Sequence, residues 1–314
     1  CGLGVDVSGA RSIVKLASKT NAIIDHEHGE VMSKTLRSLQ TKGLFFTTLS
    51  EVKSRADLVV FVGKDTFKRK LCLYKNIVGE STKTYKKKII NYGDSFESSD
   101  ELINSLRNLS AYQKNNNLIV PSSYNKEFSY NLSISSYVVL VWDPSCYIND
   151  ADAIADILLE IIRDINKKTR GGILTLMGDE GGISMQSVMT WMTGLPLRSS
   201  FTTRGLRHDS NIFSTRKVIS QNVSDLVIWV SCFSYKLPDY LIGLKCPLLI
   251  FGHYKISEKL LEKKIDNCIF IPVATPGVDV DGHMIRCDGV VTVPLKKIIN
   301  SSLPSLQKVI SNFL

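Results

Sequence analysis

The most polar cluster in the sequence is DHEHGE at residues 25–30. It follows a short apolar run that is typical of a buried strand, so it is expected where α/β proteins bind ligands, at the carboxyl end of that strand. Two histidines flanked by carboxylates are able to ligate zinc or iron. However, His26 and His28 share a face only on a strand, not on a helix, and no third ligand follows at a metal-binding spacing. The pattern favours a polar loop over a metal site.

A second polar cluster, SSFTTRGLRHD at residues 199–209, contains Arg204, Arg207 and His208. Guanidinium groups hold carboxylates and phosphates through paired hydrogen bonds, so these residues are candidates for binding an anionic group. An equally good alternative is that they pair with acids of the protein and fix the loop. The segment GDEGGIS at residues 178–184 offers amides to an anion, but Asp179 and Glu180 would repel a phosphate, which favours a plain turn.

No nucleotide-binding or nucleophile motif is present in the sequence. Neither GxxxxGK[ST] nor GxGxxG occurs, and no serine lies in a nucleophile-elbow context. The 7 cysteines are scattered singly without a CxxC pair, which is typical of reduced thiols in a cytoplasmic protein. An unrelated nucleotide-binding α/β protein is therefore the least supported interpretation.

Composition indicates a globular protein without a membrane span. Hydrophobic residues make up 44% and charged residues 22% of the 314-residue chain, and no apolar run approaches the roughly 20 residues that cross a bilayer. The net charge of +9 fits either a polyanionic partner or an A/T-rich genome that favours lysine codons. Lysines 83 and 86–88 belong to a basic stretch that reads best as a solvated loop. We expect neither nucleic acid nor a membrane as a partner.

Strand-like apolar runs alternate with amphipathic segments along most of the chain, which predicts doubly wound α/β architecture with mainly parallel sheets. The main predicted strands cover residues 21–25, 58–62, 70–74, 137–142, 172–177, 225–231, 247–251 and 268–273, and the main predicted helices cover residues 29–41, 101–114, 151–168, 184–193 and 213–221. A polar stretch at residues 114–123 predicts a linker. We therefore expect an N-terminal α/β domain at residues 1–130 and a Rossmann-like domain at residues 131–314, which ends in a β-hairpin and a helix.

Six segments, taken in order, resemble the B subunit of formylmethanofuran dehydrogenase, a member of the molybdopterin oxidoreductase superfamily that binds tungsten or molybdenum. They span almost the whole chain and are CGLGVDV, DHEHGEVM, TTLSEVKSRADLVVFVG, TWMTGLPLRSSFTTRGLRHDSNIF, VSDLVIWVS and IPVATPGVDVDGHMIRCDGVVTVPLKK.

Two departures from that family bear on function. Catalytic members begin with a cysteine cluster that holds an iron–sulfur centre; Cys1 matches its second cysteine, whereas Val5 stands where the third belongs. Members that bind tungsten or molybdenum carry a Cys-His-Gly step, and here Glu27 replaces the cysteine before His28 and Gly29. The resemblance thus implies a degenerate site, with no catalytic residue and with no metal, iron–sulfur cluster or molybdopterin bound by the chain itself.

A chain that lacks these ligands resembles the B subunit of the formyltransferase/hydrolase complex of methylotrophic bacteria, a complex that catalyses no redox step. The resemblance implies a structural subunit among an amidohydrolase-type A, a formyltransferase-type D and a C subunit, in a complex that uses formyl-tetrahydromethanopterin and a methanofuran-type carrier. The carrier's acidic arm makes Arg204, Arg207 and His208 the implied cofactor-binding residues. The alternative is a redox-active dehydrogenase chain with molybdopterin and an altered ligand set. Since the sequence begins at Cys1 rather than Met, this alternative includes further cluster cysteines upstream of Cys1.

Overall fold

A computed structural model describes residues 1–64, 66, 75, 77, 87–114, 122–176, 179–265 and 267–314. The chain forms two compact units, of which unit 1 comprises residues 1–33 and 178–314, and unit 2 comprises residues 34–177. The division lies elsewhere than the domain boundary we expected near residue 130. The physical reason is strand pairing, because strands on either side of residue 130 are direct neighbours in one sheet.

The described helices, in chain order, are α1 (Val7–Thr20), α2 (Gly29–Lys42), α3 (Leu49–Ser54), α4 (Ser99–Gln113), α5 (Ser123–Ile134), α6 (Ala151–Ile165), α7 (Gly182–Thr193), α8 (Thr215–Ser220), α9 (Ile256–Lys263) and α10 (Leu306–Ser311). The described strands are β1 (Gly2–Gly4), β2 (Ile23–Ile24), β3 (Leu58–Val62), β4 (Lys88–Tyr92), β5 (Tyr137–Trp142), β6 (Arg170–Thr175), β7 (Ser199–Thr202), β8 (Gly205–His208), β9 (Val227–Ser231), β10 (Leu248–Gly252), β11 (Cys268–Pro272), β12 (Gly282–Ile285) and β13 (Thr292–Leu295). In the described part of the chain, every helix is too short or too polar to cross a membrane.

Unit 2 is built on a parallel sheet with strand order β4-β3-β5-β6. Every residue of the two central strands is buried, because both faces of the sheet are covered. One face packs on α4 and α6 through residues such as Val60, Leu140 and Leu158, and the other packs on Val52 of α3. Parallel sheets covered on both faces require such continuous apolar strands, and that is the pattern the sequence shows.

Unit 1 contains a parallel sheet with strand order β1-β9-β10-β11 and an antiparallel sheet with order β2-β7-β8. In the parallel sheet β10 lies in register with both neighbours, so that Leu248 pairs with Val227 of β9 and with Cys268 of β11. In the antiparallel sheet Ile24 pairs with Ser199. That pairing connects the segment after β2 to the β7–β8 hairpin, and it therefore positions both polar clusters of the sequence.

The α/β architecture with mainly parallel sheets is confirmed. The terminal hairpin is also present, as β12 paired with β13 in antiparallel register, and α10 follows it. Residues 194–211, which we expected to be irregular, instead contain the β7–β8 hairpin. The sequence did not indicate this hairpin, because its strands are short and polar and show no apolar alternation. The expected strand at residues 70–74 and most of the expected linker lie outside the described residues.

Candidate functional site

The DHEHGE segment forms a tight loop between β2 and α2. The amide of Gly29 donates to the carbonyl of His26 at 2.8 Å, and the amide of His28 donates to Nδ1 of His26 at 3.0 Å. Asp25 and His26 are buried, whereas Glu27 and His28 are partly exposed. A Cβ atom at Gly29 would overlap the Asp25 carboxylate, so only glycine fits at this step. The predicted polar loop is therefore a packed turn, held by its own hydrogen bonds and by the close contact between Gly29 and Asp25.

Glu27, which stands where the dehydrogenases that the chain resembles carry a metal-binding cysteine, is held within the chain. Its carboxyl group accepts a hydrogen bond from the hydroxyl of Tyr240, and its amide donates to the carbonyl of Gly2 at 3.2 Å. Burial raises the pKa of Glu27, although the Tyr240 hydroxyl and the charges of His28 and Arg216 act in the opposite direction. The carboxyl group that would have to serve a metal thus already has a partner.

The surroundings of Tyr240 extend this contact to the parallel sheet and to α8. The ring of Tyr240 meets the ring of Trp229 edge-on, with centroids 6.3 Å apart, and the guanidinium carbon of Arg216 lies 5.4 Å from the Tyr240 centroid. Trp229 is 3% exposed. A Cβ atom at Gly2 would lie 2.9 Å from the Trp229 ring and 2.7 Å from the carbonyl oxygen of Val230, so the ring packs directly on the backbone of β1.

Arg198 is the organising cation of this region, and sequence reasoning missed it. Its Nε lies 3.3 Å from Oδ1 of Asp25 and its Nη1 lies 2.8 Å from Glu30, while Nη1 also donates to the carbonyl of Ser210 at 2.6 Å. The other oxygen of Asp25 accepts from the amide of Thr215 at 2.8 Å. Burial raises the pKa of Asp25, and the Arg198 charge partly offsets this effect. The available signal was weak, since Arg198 simply precedes the second polar cluster.

Arg204, Arg207 and His208 all lie on the β7–β8 hairpin and are exposed. The amide of Arg204 donates to the hydroxyl of Thr202 at 3.2 Å within the turn, and Nδ1 of His208 lies 3.0 Å from the carbonyl of Arg198. Among the residues that the structure describes, neither the Arg204 nor the Arg207 guanidinium forms an ion pair. The hairpin therefore presents two uncommitted guanidinium groups, and their cofactor-binding role stays a prediction.

The segment that matches the cysteine cluster is part of the folded core. Val5 is 0% exposed, and a Cβ atom at Gly181 would overlap its carbonyl. The Cys1 thiol lies 3.4 Å from the carbonyl of Ile228 on β9. Across the described ranges, no three His, Cys, Asp or Glu side chains gather in an arrangement that could hold a metal ion.

The residues present therefore do not fit the cofactors of the redox family. Iron–sulfur clusters are held by cysteine thiolates, and the Val5 position supplies a buried aliphatic side chain instead. Tungsten and molybdenum centres need an available ligand, and the carboxyl group of Glu27 is engaged by Tyr240. The described part of the GDEGGIS segment, residues 179–184, is closely packed at Gly182, where a Cβ atom would lie 3.2 Å from the His26 ring.

Two lysines of the basic stretch, Lys87 and Lys88, form hydrogen bonds within unit 2. The ammonium group of Lys87 donates to the carbonyls of Val52, Lys53 and Ile77 at 2.7, 2.9 and 3.1 Å. Lys88 donates to Oδ1 of Asn131 at 2.6 Å. Lysines 83 and 86 lie outside the described residues. Lys87 and Lys88 thus have hydrogen-bond partners within unit 2, and the hairpin arginines stay our preferred candidates for an acidic partner because guanidinium groups suit carboxylates.

Comparison with known proteins supports the resemblance that the motifs suggested. No family model matches the chain. It is 24% identical over 297 residues to the B subunit of the formyltransferase/hydrolase complex Fhc of Methylorubrum extorquens, across 90% of this chain and 79% of the relative. It is also 24% identical over 321 residues to the B subunit of the tungsten-containing formylmethanofuran dehydrogenase 2 of Methanococcus maripaludis, across 92% of this chain and 71% of that relative.

A solved structure shares the fold. The chain superposes with a TM-score of 0.82 and 22% identity on a chain of the formyltransferase/hydrolase complex FhcABCD from Methylorubrum extorquens, solved in complex with methylofuran. The superposition covers 99% of this chain and 88% of the solved one. The two chains thus share one α/β fold.

Proposed function

We propose that this chain is the non-catalytic B subunit of a formyltransferase/hydrolase complex in one-carbon metabolism. The observation that carries the proposal is the contact between Glu27 and Tyr240. Where a dehydrogenase needs a soft thiolate for its metal, this chain has a carboxyl group that is already hydrogen-bonded by a neighbouring phenol. The catalytic steps then belong to other subunits, and this chain contributes a scaffold.

The first residues of the chain support the same proposal independently. Val5 lies in the core of unit 1, so the third cysteine of the family's cluster is replaced by a side chain that packs rather than ligates. A valine has no electron pair to donate to iron. An iron–sulfur cluster would carry electrons to the metal. Loss of a cluster ligand together with loss of the metal-binding cysteine therefore favours the formyl-transferring relatives over the redox relatives.

The proposal includes its partners and its carrier. Subunits of the amidohydrolase type and the formyltransferase type, together with a C subunit, would supply the chemistry, and the formyl group would pass from formyl-tetrahydromethanopterin to a methanofuran-type carrier before its hydrolysis to formate. Large apolar side chains on the surface support an assembled state. Trp191 is 63% exposed, Ile298 80% and Leu261 81%, and an isolated chain would have to leave them in water.

Affinity purification of the tagged chain from its native cell, followed by mass spectrometry and metal analysis, tests the proposal. We expect the transferase and hydrolase subunits in stoichiometric amounts, and no tungsten, molybdenum, iron or labile sulfide in this chain. Stoichiometric tungsten or molybdenum with pterin would overturn the proposal in favour of a redox-active dehydrogenase. Purification without such partners, as a monodisperse and stable monomer, would overturn the scaffold role.

A further inference from the structure

We infer that the hydrogen bond between Glu27 and Tyr240, called the tie below, holds distant segments of unit 1 together at the position where the related dehydrogenases carry a metal-binding cysteine. Returning a cysteine to position 27 therefore breaks the tie and does not recreate a metal site. The inference rests on the proposed function, since it takes the degenerate site as the starting point. It adds a defined role for Tyr240, which no feature of the sequence indicated.

The tie connects segments that are far apart in the chain. Glu27 belongs to the loop between β2 and α2, and Tyr240 belongs to the short helical turn Asp239–Leu241, 213 residues later. The Tyr240 ring meets Trp229 of β9 and lies near Arg216 of α8. One phenol therefore joins the loop, the parallel sheet and a helix of unit 1.

A glutamate at position 27 suits this role and a cysteine does not. The backbone of residue 27 is fixed by its hydrogen bond to Gly2, so the side chain itself must span the distance to Tyr240. A cysteine side chain is shorter than that of glutamate, and a thiol is a weak hydrogen-bond acceptor. The hydroxyl of Tyr240, a partly buried residue, would lose its acceptor, and a polar group left unsatisfied away from water is costly.

A metal at position 27 would have to displace the Tyr240 hydroxyl as well. Retreat of the Tyr240 ring is opposed by its packing on Trp229, which is itself closed against the backbone of Gly2. The cysteine substitution thus removes a contact without opening a coordination position. Restoring a metal site would require changes on at least two segments together.

Hydrogen exchange on the purified complex tests the tie locally. The variants are Glu27→Cys, Glu27→Gln, Tyr240→Phe and the double variant Glu27→Cys/Tyr240→Phe, and the readout is the amide exchange rate in residues 25–30 and 237–243. We expect Glu27→Cys and Tyr240→Phe each to raise exchange several-fold in both segments, and the double variant to raise it no further, because both changes remove one shared contact. Glu27→Gln keeps an acceptor oxygen and should retain most of the protection.

Two surface variants serve as matched controls. Glu262→Gln removes a carboxylate whose partner is the surface residue Lys259, and Tyr254→Phe removes the hydroxyl of a tyrosine that is 51% exposed; neither should change exchange in the two segments. We also expect no tungsten or molybdenum in the Glu27→Cys complex from cells supplied with tungstate and molybdate.

Three results would overturn the tie. These are unchanged exchange in Glu27→Cys and in Tyr240→Phe, additive effects in the double variant, or stoichiometric tungsten or molybdenum with pterin in the Glu27→Cys chain. Should Glu27→Cys fail to assemble, Tyr240→Phe and Glu27→Gln still decide the role of the hydrogen bond, since both preserve side-chain shape. Failure of the proposed function is recognised separately, by metal in the wild-type chain or by missing partners.

Discussion

The guanidinium group of Arg198 lies 3.3 Å from the carboxylate of Asp25, and both side chains are buried. Arg198 also contacts Glu30 and the carbonyl of Ser210. Because Arg198 directly precedes β7 and Asp25 directly follows β2, the pair fastens the two polar clusters of the sequence to one another. The exposed hairpin arginines and the Glu27 loop are therefore held in a fixed relation by a buried ion pair.

Replacement of Arg198 by methionine should destabilise unit 1 strongly. The substitution leaves Asp25 buried without its cation, and removal of one partner of a buried ion pair typically costs about 3–5 kcal/mol. Native-state hydrogen exchange of the β7 amides in the purified complex measures the loss. The control is Lys296→Met, which removes an exposed pair with Asp281 and should cost about 1 kcal/mol or less. Equal effects of the two variants would contradict the organising role of Arg198.

The central strands and one helix of unit 2 could be predicted from the sequence, but little of the candidate site could. The strands β3 and β5 were predictable because a strand buried on both faces must be continuously apolar, and the apolar face of α6 was visible at helical spacing. The site depends instead on contacts between distant segments. Asp25 and Arg198 are 173 residues apart, and Glu27 and Tyr240 are 213 residues apart. No local sequence pattern therefore predicts either pair.

The division into units was hidden for a related reason. The polar stretch at residues 114–123 looks like a linker by composition, yet β3 before it and β5 after it pair in one sheet. The chain instead leaves unit 1 within α2 and returns at residue 178. A boundary inside a helix has no compositional signal, because helix-forming residues continue across it.

The stability of unit 1 should depend on pH through Glu27. Burial raises the pKa of this carboxyl group above the ordinary glutamate value of 4.5, so the folded state binds its proton more tightly than the unfolded state does. The contribution to stability is therefore complete below the unfolded pKa and is lost as pH rises through the folded pKa. The free energy of unfolding of the wild-type protein relative to Glu27→Gln should fall as pH rises from about 4. A difference that stays flat or grows with pH would contradict the shift.

Lys87 should stabilise unit 2 rather than bind a partner. Its ammonium group donates to the carbonyls of Val52 and Lys53 near the end of α3, and to that of Ile77. Lys87→Met leaves these carbonyls without their donor, and hydrogen bonds to charged groups typically contribute about 1.5–3 kcal/mol. Hydrogen exchange of the β3 amides measures the loss. Lys126→Met, at an exposed lysine of α5, is the control and should have little effect; a similarly small effect of Lys87→Met would show that Lys87 is merely a surface charge.

Among the residues that the structure describes, the β7–β8 hairpin is where we predict that an acidic carrier arm is guided between subunits. Arg204 and Arg207 are exposed, and within the described residues their guanidinium groups form no ion pair, so their charge is available to a ligand. The hairpin itself is fixed, since β7 pairs with both β2 and β8. A fixed pair of guanidinium groups can hold a carboxylate with little loss of side-chain freedom.

Charge reversal at both positions, Arg204→Glu with Arg207→Glu, should therefore raise the KM for the methanofuran-type carrier in the assembled complex. Long-range attraction raises the local concentration of an acidic ligand, and salt screens it, so the increase should be larger at low ionic strength than at high. Steady-state kinetics at two salt concentrations measure the effect. The control is Lys15→Glu with Lys308→Glu, an equal charge change on exposed positions of α1 and α10, which separates a local effect of the hairpin from a change in net charge. If the hairpin variant assembles normally and its KM equals that of the control at low salt, the two arginines do not guide the carrier.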